Sequence, residues 1–145
     1  MNSSTYTNNL ITLLYLEGLG PANLRKCSNE LAEDLSVQDL QSLTLKTLGK
    51  SYSENQIQAA QGLTRKTLDI CDQKSIKILT ESKLPSSLSD LKNPPIILYC
   101  LGLPPNDFDQ TVAVIGTRSP CNKAISATES ISAQLINNNS VIVSA

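Results

Sequence analysis

The residues best suited to chemistry form one short turn near the end of the chain, Gly116-Thr117-Arg118-Ser119. An arginine guanidinium carries a permanent charge and a planar fork of donors that fits a phosphate. The turn precedes an amphipathic segment, residues 121–138, and backbone N–H groups at a helix start lack intrahelical partners. We therefore predict a phosphate-binding turn. The alternative is an ordinary strand-to-helix turn with a solvated arginine.

The segments around this turn predict a βαβ unit. Residues 111–115 and 141–143 are apolar runs typical of strands, and residues 121–138 have a helical pattern. Two earlier runs, residues 75–80 and 96–101, predict further strands that could join the same sheet, for about four in total. Small and medium apolar residues recur along the helix and predict a face that packs on this sheet: Ala124, Ala127, Thr128, Ile131, Leu135 and Ile136.

The first half of the chain has the pattern of a small all-α domain of about four helices. Apolar residues between positions 6 and 18 predict a first helix, which stops at Gly18-Leu19-Gly20, and residues 22–27 can form a second. This resembles a helix-hairpin-helix element, in which glycines let backbone N–H groups approach a DNA phosphate. The candidates for a secondary DNA contact are therefore Gly18, Gly20, Arg25 and Lys26. A tight turn in a helical bundle is the alternative.

Serine residues predict the starts of the two later helices of this domain. Ser36 is followed three residues later by Asp39, which resembles a capping box with aspartate in place of glutamate. Ser53 could begin a longer helix that extends to Cys71. Gly62 lies inside that segment and weakens its helical propensity.

Composition limits the possible functions. The 145 residues include 12 basic and 13 acidic side chains, so any nucleic-acid site must be local rather than a property of the whole chain. The absence of histidine excludes histidine-based catalysis and histidine metal sites. With four tyrosines, one phenylalanine and no tryptophan, we expect no aromatic platform for base stacking, because such platforms need exposed rings.

The cysteines and the N-terminus bear on cofactors and location. Cys27, Cys71, Cys100 and Cys121 form no CxxC pair and match no zinc spacing, so we expect reduced thiols, no metal and no cofactor. The first residues lack the positive charge of a signal peptide, and the apolar run at residues 10–16 is too short to span a bilayer. We expect a soluble cytoplasmic protein without membrane contact.

Three parts of the chain together resemble the DNA-processing protein A family, called DprA or Smf. The first is the hairpin at residues 16–20. The second is the stretch Leu91-Lys92-Asn93-Pro94-Pro95-Ile96-Ile97-Leu98-Tyr99, followed by Gly102. The third is Val112-Ala113-Val114-Ile115-Gly116-Thr117-Arg118, followed by a helix and Val141-Ile142-Val143-Ser144. The second and third parts in tandem are more specific than the hairpin alone.

The resemblance implies a single-stranded DNA-binding protein, not an enzyme. The family helps to load the recombinase RecA onto incoming strands during natural transformation (competence) and so takes part in DNA recombination. Carried over by position, Gly116, Thr117, Arg118 and Ser119 would hold the DNA backbone, with Arg118 paired to a phosphate. One departure is Asn122, where the family usually has a glycine, because asparagine adds a side chain near the phosphate.

The resemblance also implies the fold class and domains. We expect an α/β protein, with a helical N-terminal domain at residues 1–73 and the first βαβ part of a Rossmann-like parallel sheet at residues 74–145. Family members continue with a Gly-rich second loop, further strands and helices, and surfaces for dimerisation and RecA contact. The expectation is therefore an incomplete copy, either a fragment or non-functional, which could form a homodimer if the missing part is supplied.

Two other functions stay open. A nucleoside-phosphate-binding enzyme on a Rossmann-like domain would use a similar turn. The sequence shows no paired carboxylates and no activated nucleophile around the turn, and Glu129 is most simply a solvent-exposed residue. The other alternative is a helical interaction module, residues 1–73, attached to an inert remnant.

Overall fold

The computed structural model describes residues 5–32, 34–102 and 110–144. The chain divides into two compact units: a helical unit, residues 1–84 and 88–104, and a βαβ unit, residues 85–87 and 105–145. The mixed α/β class is confirmed, whereas the division into domains after residue 73 stays a prediction. The elements in chain order are α1 (Thr5–Leu14), α2 (Pro21–Leu24), α3 (Val37–Leu48), α4 (Glu54–Gln73), β1 (Ile76–Thr80), α5 (Ser86–Ser89), β2 (Ile97–Leu101), β3 (Thr111–Ala113), α6 (Asn122–Asn137) and β4 (Val141–Val143).

The core of the helical unit is built from the apolar faces of α1 to α4 and the hairpin between α1 and α2. Leu10, Leu13 and Leu24 are fully buried in this core, and Ile57 and Ala60 of α4 pack into it as well. A buried contact between the Thr12 and Thr64 hydroxyl oxygens, 3.0 Å apart, joins α1 to α4. The helical N-terminal region that the sequence predicts is therefore confirmed, with burial of leucine side chains as its main stabilising contribution.

Both serine-led helix starts are present. The Ser36 hydroxyl accepts a hydrogen bond from the Asp39 N–H at 3.2 Å, and the Asp39 carboxylate accepts one from the Ser36 N–H at 2.9 Å. Ser53 and Gln56 form the same reciprocal pair at the start of α4. These capping boxes satisfy N–H groups that the helices cannot pair internally. Gly62 lies inside α4 without ending it.

The first two helices are shorter than the sequence predicts. Helix α1 ends at Leu14, because the Tyr15 N–H is shared between the Ile11 and Thr12 carbonyls and the Leu16 N–H bonds to Leu13. Hydrogen bonds between residues three apart, as in a 3-10 turn, tighten and end an α-helix. Residues 22–27 do not form one α-helix either. Helix α2 stops at Leu24, and Arg25–Cys27 is a 3-10 turn.

The strands of the helical unit do not join the parallel sheet, and the expectation of a four-stranded sheet is wrong. Strands β1 and β2 pair with each other in an antiparallel arrangement, with Ile78 opposite Tyr99. Strand β1 also packs against α4. The connection between the strands, residues 81–96, holds a 3-10 turn and the four-residue α5. It has no crossover helix of the kind that usually makes neighbouring strands parallel.

The βαβ unit is a parallel pair of strands linked by α6. Thr111 lies opposite Val141 and Ala113 opposite Val143, which confirms a two-stranded parallel pair. The predicted apolar face of α6 is only partly covered: Leu135 is half-buried, while Ile131 and Ile136 are exposed. Two strands offer little area for a helix to cover. Among the described helices of both units, none combines the length and apolar character needed to cross a membrane.

Candidate nucleic-acid interface

The predicted phosphate-binding turn lies at the edge of the parallel strand pair where both strands end. Because β3 and β4 run in the same direction, their carboxyl ends meet at one edge. The Val114 N–H donates to the Val143 carbonyl at 2.9 Å and extends the pairing by one residue before the chain leaves the sheet. Ligands of open α/β sheets bind outside this edge. Residues 116–119 are thus at the position where a ligand is expected.

The turn is exposed and contains one internal hydrogen bond. Gly116, Thr117, Arg118 and Ser119 all lie on the surface. The Ser119 N–H donates to the Thr117 hydroxyl oxygen at 3.3 Å, a local bond typical of turns. Within the described residues, the structure gives Arg118 no acidic partner. The arginine is therefore available to an anion, whereas the Ser119 N–H already has an acceptor.

The start of α6 differs from the starts of α3 and α4. Its N-cap is Cys121, which makes no side-chain capping bond, and no acidic residue lies in the first turn. The first N–H groups of the helix are therefore left to solvent or to a ligand. Lys123 is exposed in this turn and adds a second cation. Asn122 is the first residue of α6, so its backbone is helical and does not need a glycine.

The glycines of the hairpin belong to the helical unit and serve its packing. Gly18 has φ +77°, and its carbonyl accepts a hydrogen bond from Lys50 Nζ at 2.9 Å. The neighbouring Glu17 carbonyl accepts one from the Tyr52 hydroxyl at 2.7 Å. Gly20 is the N-cap of α2, with φ −113°. Leu19 between them is buried in the core. The hairpin is thus closed against residues that follow α3.

The two basic residues after the hairpin are used differently. Arg25 Nε lies 3.0 Å from Glu81 Oε1, and its Nη2 donates to the Pro94 carbonyl. Lys26 is exposed. The Arg25 guanidinium therefore links α2 to the segment between β1 and β2. Sequence reasoning missed this contact, because Glu81 and Pro94 lie 56 and 69 residues away and no local pattern connects them.

The described residues contain no cluster suited to a metal or an activated thiol. No group of three or more cysteine and carboxylate side chains is arranged to hold a metal ion there. None of the four cysteines forms a disulfide, and three are buried. Burial raises the pKa of the Cys27 thiol, and nearby Glu30 raises it further. Burial also raises the pKa of the Cys71 thiol, and nearby Asp72 raises it further. A raised pKa keeps both thiols neutral and weakly nucleophilic.

Comparison with known proteins gives a family match for the second half of the chain. The family model of DNA recombination-mediator protein A matches residues 75–145. The matched range includes β1, β2, the turn at residues 116–119 and the whole of α6, and it leaves the hairpin outside. Neither the curated proteins nor the solved structures provide a match. Residues 75–145, just under half of the chain, therefore match the DNA recombination-mediator protein A (DprA) family that the sequence resembles, a family of DNA processing in recombination.

Proposed function

We propose that this protein binds the backbone of single-stranded DNA at residues 116–119 and at the start of α6, without catalysing a reaction on it. The observation that supports this most directly is the uncapped start of α6 beside an exposed Arg118 that has no acidic partner among the described residues. An unpaired guanidinium and free N–H groups suit phosphate oxygens and do not distinguish bases. Binding at the turn would therefore be independent of sequence.

Each residue has a distinct part in the proposed site. Arg118 would form the charged contact with a phosphate, and Lys123 would attract the neighbouring phosphates from the first turn of α6. The Thr117 hydroxyl would keep accepting from the Ser119 N–H and so hold the turn in place. The only acidic residue of α6, Glu129, lies beyond the first turn and would not repel the DNA at the helix start.

The test is the salt dependence of binding to a short oligo-dT, measured by fluorescence anisotropy. Replacing Arg118 by alanine should weaken binding to all sequences alike. It should also reduce the slope of log K against log salt by roughly 0.7 for one lost phosphate contact. Arg65→Ala is the matched control, because Arg65 is an exposed arginine on α4 in the other unit. An unchanged slope in the Arg118 variant would remove this residue from the site.

A second comparison separates the turn from the hairpin. Lys26→Ala removes an exposed cation beside the hairpin and leaves the Arg25 contacts intact. A larger loss of affinity in this variant than in Arg118→Ala would place the DNA contact on the helical unit.

Turnover of a nucleoside phosphate would favour the enzyme alternative. Absence of both binding and turnover would leave a helical interaction module.

We further propose that the bound strand is passed to a RecA-type recombinase during natural transformation. The support is the family assignment together with a site that would hold the DNA through its backbone and leave the bases free. The assay is the rate of recombinase filament formation on single-stranded DNA, with and without the protein. We expect acceleration by the wild-type protein and loss of that acceleration in Arg118→Ala. Equal rates with and without the protein would contradict this step.

A further inference from the structure

Two of the four tyrosine rings lie exposed on the helical unit. Tyr15 and Tyr99 each keep 44% of their surface accessible, whereas Tyr52 is buried and Tyr6 is half-buried. The scarcity of aromatic residues led us to expect no platform for base stacking. The structure nevertheless exposes two rings, as such a platform requires, and the expectation itself stays a prediction.

Tyr15 is held in place by a hydrogen bond. It follows the end of α1, and its hydroxyl lies 2.6 Å from the hydroxyl oxygen of Thr67 on α4. The bond fixes the ring against α4 and leaves much of its surface exposed. An aromatic side chain with few rotatable bonds, already held in one position, loses little conformational entropy when a ligand covers it.

Tyr99 lies beside the same part of the helical unit. Side chains alternate along a strand, so Tyr99 shares a face of β2 with Ile97, which packs against the core. Its cross-strand partner is Ile78 on β1, and β1 packs against α4. Burial raises the pKa of the Tyr99 hydroxyl, and the nearby Tyr15 hydroxyl and Cys71 thiol raise it further. Tyr15 is therefore bonded to α4, and Tyr99 lies near Tyr15 and near Cys71 of α4.

Helix α4 adds an apolar strip with a cationic border. Leu63 and Ile70 are exposed, and a helix with 3.6 residues per turn places them within about 60° of Thr67, the partner of Tyr15. Lys66 lies about 40° from Ile70 around the helix, and Lys74 is the C-cap directly after α4; both are exposed. The acidic residues of α4 are about 100° or more away from it: Glu54, Asp69 and Asp72.

We propose that this tyrosine surface, formed by Tyr15, Leu63, Ile70 and Tyr99 with Lys66 and Lys74, is a second site for single-stranded DNA. Bases would stack on the two rings, and the lysines would meet the backbone. Exposed rings with adjacent cations and no adjacent carboxylate on α4 are the combination that such strands prefer. The inference rests on the proposed function, since the ligand is the same strand, and it adds base contacts that the turn at residues 116–119 lacks.

The experiment compares two probes of equal length, an oligo-dT and an oligonucleotide of abasic sites. Tyr99→Leu removes stacking but keeps an apolar side chain, so the dissociation constant for oligo-dT should rise roughly 5- to 100-fold. The constant for the abasic probe should stay unchanged. Tyr99→Phe keeps the ring and should bind oligo-dT within about twofold of the wild type. The chain has no tryptophan, so quenching of tyrosine emission by oligo-dT reports stacking directly in the unmodified protein.

The outcomes separate this inference from the proposed function. If Arg118→Ala weakens binding of both probes while Tyr99→Leu changes the affinity for neither, the site at residues 116–119 is supported and the inference about the tyrosine surface is overturned. If the wild-type protein binds no probe, both proposals fail. If Tyr99→Leu leaves DNA binding intact but converts a dimer to a monomer in sedimentation, the surface is a protein interface and the inference is overturned. Unquenched tyrosine emission at saturating oligo-dT would overturn it even if Tyr99→Leu failed to fold.

Discussion

Replacing Gly18 by alanine should destabilise the helical unit, whereas the same change at Gly20 should leave its stability almost unaltered. Gly18 has φ +77°, in the left-handed region that L-residues avoid. An added Cβ would also clash with Lys50 Nζ, which donates to the Gly18 carbonyl. Gly20 has φ −113°, and a Cβ there would meet nothing within 4 Å. The two glycines are two residues apart and form a matched pair.

The expected magnitude follows from three contributions. The left-handed conformation costs an alanine at Gly18 about 1–2 kcal/mol. Displacement of the Lys50 ammonium loses about 0.5 kcal/mol of an exposed hydrogen bond. Reduced entropy of the unfolded chain returns about 0.4–1 kcal/mol, so the net loss is about 0.5–2 kcal/mol. At Gly20, alanine is a poorer N-cap than glycine and costs about 0.5 kcal/mol. The same entropic gain offsets this cost, so the free energy of unfolding should change by no more than about 0.5 kcal/mol.

Urea unfolding followed by circular dichroism at the helical band measures both changes. With a slope of about 1–2 kcal/mol per molar urea, Gly18→Ala should lower the midpoint by roughly 0.3–2 M and leave the slope unchanged. Lys50→Met separates the contributions, because it removes the ammonium and its bond but not the backbone strain. Combining it with Gly18→Ala should restore little stability. Equal midpoint shifts for the Gly18 and Gly20 variants would refute the reasoning.

Two further predictions concern the contacts of Arg25 and Asp39. Arg25→Ala should lower the free energy of unfolding by about 1–2 kcal/mol, because the Pro94 carbonyl and Glu81 lose their partner, and Glu81→Gln should cost less. Urea unfolding checks this, and an unaltered midpoint in Arg25→Ala would contradict it. Hydrogen bonds from the Ser36 side chain and backbone lower the pKa of Asp39, so its stabilisation of α3 is present above the unfolded pKa, near pH 4, and is lost as pH falls through the lower folded pKa. Acid titration by circular dichroism should therefore show less loss of helix in Asp39→Asn than in the wild type, and identical curves would contradict this assignment.

Local signals in the sequence were sufficient where a structure depends on neighbouring residues. The Ser36–Asp39 capping box, the start of α4 after Ser53 and the strand at residues 141–143 match the structure. Each of these depends on side chains within one turn or on a short apolar run. The sequence predicts that the first helix extends to Gly18, but α1 ends at Leu14. The hydrogen bonds between residues three apart that end it have no distinct residue pattern.

The candidate DNA site divides in the same way. The position of residues 116–119 between a strand and a helix could be inferred from the order of segments. The uncapped start of α6 could also be inferred, because Cys121 is not a capping residue. The role of Arg25 could not, since its acceptors come from segments far along the chain. The exposure of Tyr15 and Tyr99 likewise depends on which side chains fold over them.

The sequence by itself determined most of the element types, the two capping boxes, the turn at residues 116–119 and the resemblance that the family model confirms. These features depend on local conformational preference and on residue order. Only the tertiary structure decided that β1 and β2 pair with each other, that Arg25 bonds to Glu81 and Pro94, and that the rings of Tyr15 and Tyr99 stay exposed. Pairing and exposure depend on contacts between distant segments, and several distant partners are compatible with the same local pattern.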